Sequence, residues 1–396
     1  MPELEEFAEA LLDQLSVEFN EEKEIQELST KIKEDSSFKV EFESLEDISE
    51  RLFPKVKEKI KDFWGITLSD VKLSYPELEG FKKLKANKVF ATEPSRQYVD
   101  ELFEAVSKQD KDAIIELIKK DSVRYLVYST YAKAYISKIT TTYGDYLDSV
   151  IYLNKFVLSN YPQIILYKQG QPYESRANLV RSGYHGALKM TIIEEQIHSL
   201  QDRLHQKNKS AVIEVNAINE ELAKIILELD NETVKNLSDY LQLQPVPDDF
   251  PLAKRANLFF MLNPDNFIVN VLGPDVMTYT KVEIDPKISQ MVPQLADIYQ
   301  RWLKPIQAHH AAFTTMEGLA EFSVQNILKD DEDFQNYLTT FEGMDISSYQ
   351  VRKNMGMDFV KVVFKRLGNE TFERLLEYPP STKELKDPST YLDKLE

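Results

Sequence analysis

The sequence predicts an α+β protein dominated by helix, with one large domain behind an acidic helical N-terminal region. Three observations predict it. Apolar residues recur at helical spacing through most of the chain, only a few short runs are β-rich, and 42% apolar residues over 396 positions suffice for a sizeable core. Leu4, Phe7, Leu11 and Leu15 share one helical stripe. Around that stripe, residues 1–50 hold 17 acidic against 4 basic side chains, so −13 of the net −18 sits there. The expectation is an amphipathic helix docked as a cap on the main body. More helix is expected over Ile48–Trp64. In the stretch 75–90, YPELEGFKK interrupts the helical pattern and KVFA reads as a short strand, which divides the chain into 1–85 and 86–396. Residues 96–160 read as helices with a tyrosine stripe from Tyr125 to Tyr152, the rings packing while the hydroxyls stay hydrated or paired. PQIILYK (162–168) is expected as a strand, and 266–284 as two β-rich runs about a Gly-Pro-Asp turn. The remainder is helical.

Composition narrows the chemistry. A net charge of −18 repels phosphate backbones and anionic membranes, so neither nucleic acid nor a membrane is expected as a partner. The absence of cysteine removes disulfides, thiolate metal sites and thiol nucleophiles, and leaves any metal to His, Asp or Glu. Eleven glycines with no GxGxxG or GxxxxGK[ST] exclude the common phosphate-cradling loops. The opening MPELEEFAEALL lacks the basic and apolar regions of a signal peptide, and no run approaches the ~18 apolar residues of a membrane span. A cytoplasmic protein is expected.

All five histidines fall in two places: His185, His198 and His205 in one stretch, His309 and His310 in the other. In KMTIIEEQIHSLQDRL (189–204), Ile192, Ile193, Ile197, Leu200 and Leu204 mark a helix buried on one side. Glu194 and His198, four residues apart on one face, can grip a single metal ion. Glu195 projects about 100° around the helix, where it can act on a water without taking a coordination place. An acidic amphipathic helix with one histidine produces the same spacing without any metal, so the pair alone does not decide.

The arrangement resembles the HExxH motif of zinc metallopeptidases, written here as Glu-Glu-Gln-Ile-His. HHAAFTTMEGLAEF (309–322) is similar to the EGLAEY-type motif of the gluzincin-like (peptidase MA) families, and YQVRKNMGMDFVKVVFKRLGNETFERLLEYPPSTKELKDPSTYL (349–392) to their C-terminal region. The three segments follow the family's order and cover roughly 190–205 and 305–392; the first 185 residues and the long insert are unmatched. The resemblance implies a zincin-like metallopeptidase domain over 86–396. It makes Glu317 the third metal ligand on a separate helix and Glu195 the general base. It also sets Tyr349 and Arg352 near the position that donates to a tetrahedral intermediate.

The departure is Glu194, which stands where the family has its first zinc histidine. The ligand set becomes Glu194, His198 and Glu317. Zinc is the divalent metal that the resemblance implies, whereas two carboxylates shift the preference toward manganese or iron, and a metal-free relic of the fold is the remaining alternative. Without a cation the clustered carboxylates repel one another, so at least one is expected to be protonated. His205 and His310 each lie seven residues from a ligand on the same helix, about 10.5 Å of rise if the helix is uninterrupted, and cannot share its ion. His185, expected on the turn before the motif helix, is the freer replacement.

Two functional classes follow. One is a metal-dependent peptidase acting on a peptide or protein substrate, and the other a non-catalytic pseudoenzyme that binds such a partner on the same fold. A third class, a ferritin-like di-iron oxidoreductase, is suggested because Glu195-Gln-Ile-His198 also spells ExxH, although no other histidine has a glutamate three residues earlier. Substrate identity and oligomeric state are not legible.

Overall fold

The computed structural model describes residues 2–264, 280–341 and 350–395. Helices dominate it, around a small sheet of three strands: β1 (Lys72–Ser74), β2 (Gly144–Leu147) and β3 (Val150–Leu153). Central β3 runs parallel to β1 and antiparallel to β2, with Tyr146 opposite Ile151. The β2–β3 link is two residues, Asp148 and Ser149, both with positive φ (49° and 63°), the backbone a tight hairpin needs to match strand twist. No helix among the described residues is long and apolar enough to cross a membrane.

The acidic N-terminal stripe docks. Helices Pro2–Asp13 and Ser16–Glu34 bury Leu4, Ala8, Leu11, Ile25 and Ile32, with Leu15 buried between them. The Phe7 ring meets that of Tyr125 edge-on at 6.2 Å. One acid of this region is itself buried, where Glu22 accepts from Lys82 at 2.8 Å. Helix Leu45–Trp64 starts at Ser44, whose hydroxyl caps the Asp47 N–H, and ends at Gly65 with φ +68°. Its last residue, Trp64, donates to Ser323 Oγ at 2.9 Å inside an aromatic cluster with Phe322, Phe364 and Phe372.

Several local expectations are corrected. Residues 162–168 belong to helix Lys155–Lys168, capped by Asn154 and buried on several sides; a continuous apolar run marks a buried helix as readily as a strand. Leu78–Asn87 is helix where YPELEGFKK promised a break, and 88–91 is not a strand; the strand nearby is β1. Tyr143, Tyr146 and Tyr152 lie in or beside the hairpin rather than on a helical stripe. Of the β-rich runs expected over 266–284, residues 265–279 lie outside the described residues, and 281–284 form no strand.

Three helices carry the site. The motif helix, Glu174–His198, lies beneath β2; a Cβ on Gly144 would come within 2.5 Å of Thr191 Cγ2. It does not run on to Leu204 as the apolar spacing suggests. It closes at His198, three residues turn the chain, and helix Asp202–Glu228 begins. Helix Gln294–Ile327, with Pro305 inside it, crosses Gln350–Leu367 glycine on glycine. A Cβ on Gly318 would sit 2.2 Å from the Gly356 carbonyl carbon, and one on Gly356 2.1 Å from the Thr314 carbonyl oxygen. That contact needs hydrogen on both sides, and it fixes Glu317 beside one glycine and Lys353 one turn before the other.

Candidate metal centre

Glu194 and His198 close the motif helix, and Glu317 precedes the glycine crossing on the long helix. One ligand atom from each lies within 4.8 Å of the other two; His198 Nε2 is 3.8 Å from Glu317 Oε1. Among the described residues this is the one cluster of three such side chains that can share an ion.

The turn after the motif helix prepares His198. Gln201 donates from Nε2 to the Met316 carbonyl at 3.1 Å, which fixes Gln201 Oε1 as an acceptor. His198 Nδ1 lies 2.9 Å from that oxygen and so carries the proton, leaving the Nε2 lone pair turned toward Glu317. A hydrogen bond of this kind on the far ring nitrogen orients an imidazole ligand. The donor set therefore fits a divalent cation: two carboxylates and one imidazole from two helices.

A cation of another kind already serves these carboxylates. Lys353, one turn before Gly356, bonds Glu194 Oε1 and stands 3.6 Å from Glu317 Oε2. Burial opposes its charge, yet the two glutamates hold the ammonium well above the usual lysine range. Burial likewise opposes ionisation of Glu194, and the Lys353 ammonium is the largest influence against it, so that carboxyl stays below its ordinary value. A lysine thus supplies positive charge that the sequence did not point to, and the protonated carboxyl expected in this cluster is Glu195 rather than a ligand.

Glu195 differs. Burial, then the charges of Asp145 and Glu194, pushes its carboxyl well above the ordinary range, so it holds its proton. Asp145, on β2, is buried between Lys85 (2.7 Å) and Lys88, and despite burial these two hold its carboxyl ionised far below the usual value. On the other wall, burial with the charges of Lys85 and Arg352 brings the Lys138 amine down to about 7. The cleft, about 230 Å³, thus faces four lysines (Lys85, Lys88, Lys138, Lys353) with four acids (Asp145, Glu194, Glu195, Glu317).

The remaining expected residues fall elsewhere. Arg352 lies with its guanidinium over the Phe313 ring at 4.8 Å and Nη1 3.3 Å from His310 Nδ1, lining an adjoining cavity. Tyr349 lies outside the described residues. His185 is not on a turn but in the middle of the motif helix, 3.9 Å from Asp333, and does not join the cluster. His205 follows the break in the helix and contacts the His198 carbonyl through Nε2 at 3.1 Å. Sequence reasoning missed Lys353, Gln201 and the Asp145 group. Gln201 left a local signal, as a polar side chain three residues past the motif histidine, whereas Lys353 left none.

No protein-family model, curated protein or solved structure matches the chain.

Proposed function

We propose that the chain is a metal-dependent, zincin-like peptidase whose centre is Glu194, His198 and Glu317. The observation that carries the reading is the convergence of these three groups, with the His198 tautomer fixed by Gln201. A divalent cation held there supplies Lewis acidity, zinc by resemblance and manganese or iron by the two-carboxylate donor set. Glu195 stands beneath Gly144 of β2 and is the group to take the proton from an attacking water. Its carboxyl can do so only when positive charge at the centre offsets Asp145 and Glu194, so the base is armed by loading. β2 is an edge strand directly over the motif helix, a place where an extended peptide can add by main-chain hydrogen bonds.

The test is metal analysis and cleavage of a broad peptide library on one preparation, with Glu195→Gln beside the wild type. Bound metal with cleavage that the variant loses supports the reading. Cleavage that Glu195→Gln retains defeats it.

One observation favours the binding-only alternative. The Lys353 ammonium already pairs with both carboxylates an ion would use. On that reading the lysine has replaced the metal and the cleft holds a peptide without cutting it. Wild-type protein that binds peptides but neither metal nor scissile products would decide for it.

A further inference from the structure

A second cavity of about 360 Å³ adjoins the metal-ligand cleft, with Phe90, Tyr135 and Phe313 lining both. Beyond that shared wall Leu126, Val215, Phe259 and Ile306 give it apolar surface, and Asn219, Asn263 and Arg352 give it polar surface. Two neutral histidines also line it. Asn208 accepts from His309 Nδ1 at 2.6 Å, and burial brings that ring down to about 3. His310 accepts from Arg352 on Nδ1, so its proton is on Nε2. That Nε2–H is buried and, among the described residues, has no hydrogen-bond partner. An unmet buried donor beside a partly apolar chamber favours a ligand that brings one acceptor with it.

We infer that this chamber receives an aromatic side chain of the peptide lying in the cleft, tyrosine above phenylalanine, because a ring fills the apolar volume and a phenolic oxygen answers His310. Continuity with the cleft supplies the occupant: a chain extended over Glu195 can drop a side chain past Phe313 without leaving the site. The assignment rests on the cleft being a peptide site but not on hydrolysis.

The experiment reads binding, not turnover. N-acetyl-tripeptide amides Ala-X-Ala with X as Tyr, Phe or Ala, and N-acetyltyrosinamide beside N-acetylalaninamide, are titrated by ligand-observed NMR into wild-type protein, Ala134→Trp and Val212→Trp. Ala134 is an exposed residue of the chamber lining, so its substitution leaves the core intact, and Val212 lines the chamber from another helix. The Tyr peptide should bind about tenfold or more tighter than the Ala peptide, as burial of a ring implies, and both plugging variants should erase the difference. Equal affinity for the Tyr and Ala peptides, or a preference that survives both plugs, overturns the inference. N-acetyltyrosinamide binding no better than N-acetylalaninamide overturns it whatever the cleft does. Aromatic-selective binding without cleavage refutes only the peptidase reading, and cleavage without aromatic preference refutes only this one.

Discussion

Replacing Lys353 by methionine separates an ion's place from a lysine's. Methionine keeps most of the unbranched stem and removes the ammonium. The side chains of Lys353, Glu194 and Glu317 are 14%, 19% and 14% exposed, so little water is available to take over. At an effective dielectric near 20, each charge pair at about 4 Å is worth ~4 kcal/mol before desolvation is counted. Removing one partner of a buried pair typically costs about 3–5 kcal/mol, because the other charge is left uncompensated. Metal-free Lys353→Met should therefore lose roughly that much stability in urea unfolding. Adding zinc or manganese should restore it, since the ion then balances Glu194 and Glu317. In the wild type the ion must first displace the ammonium, and the lysine regains part of that cost by hydration. A residual handicap of about 1.4–2.8 kcal/mol corresponds to a 10- to 100-fold weaker apparent affinity than in the variant. Calorimetric titration of both proteins with each ion measures it. Equal affinities, or weaker binding by Lys353→Met, would show that lysine and ion do not compete and would refute the reasoning.

Glu194→His should raise zinc affinity, because a neutral imidazole suits zinc better than a second carboxylate; unchanged affinity by titration would mean that the pocket is built around Glu194. If wild type cleaves any peptide, Glu195→Gln should cost ~10²–10⁴-fold in turnover with metal content unchanged, checked on one preparation. Deleting residues 1–50 should lower stability by more than about 5 kcal/mol and promote aggregation, since it uncovers the surface beneath Leu4, Leu11, Leu15, Ile25 and Ile32 and strands Lys82 without Glu22; an unchanged melting temperature would defeat this. His309 titrates near 3 in the folded chain and near its ordinary 6.5 when unfolded, so between those values the unfolded chain binds the extra proton and stability falls as pH is lowered. His309→Gln should flatten that slope in urea unfolding measured from pH 7 to pH 4.

The helical bulk and the docked N-terminal stripe were legible because Leu4, Leu11 and Leu15 repeat at the helical period and must be buried against something. What misled was apolar content without period. Lys155–Lys168 is buried on several sides, so its residues carry no amphipathic signature, and the β-rich look of Ile164 and Ile165 was a property of burial. The hairpin was hidden for a different reason. Its turn is Asp148-Ser149 rather than Asn-Gly or Asp-Gly, and left-handed backbone at serine carries almost no sequence signal.

At the site, the line between legible and hidden follows sequence distance. Glu194 to His198 is a local spacing, fixed by helix geometry wherever that helix forms. Glu317 joined them only through a second motif. Lys353 could not be inferred from spacing at all, because its position depends on a tertiary contact: Gly356 against Gly318 lets two helices approach until the residue before Gly318 and the one three before Gly356 stand 3.6 Å apart. An alanine at either glycine would put a Cβ about 2 Å from backbone of the other helix and force the helices apart. Gly356→Ala should therefore act on the centre as well as on stability, withdrawing Lys353 from Glu194 and Glu317 while leaving every ligand residue in place. If Lys353 restrains metal binding, this variant should bind a divalent cation more tightly than wild type even though it is less stable, two effects of opposite direction that a simple loss of structure cannot produce together. Weaker metal binding in step with lower stability would mean that the crossing positions Glu317 rather than the lysine.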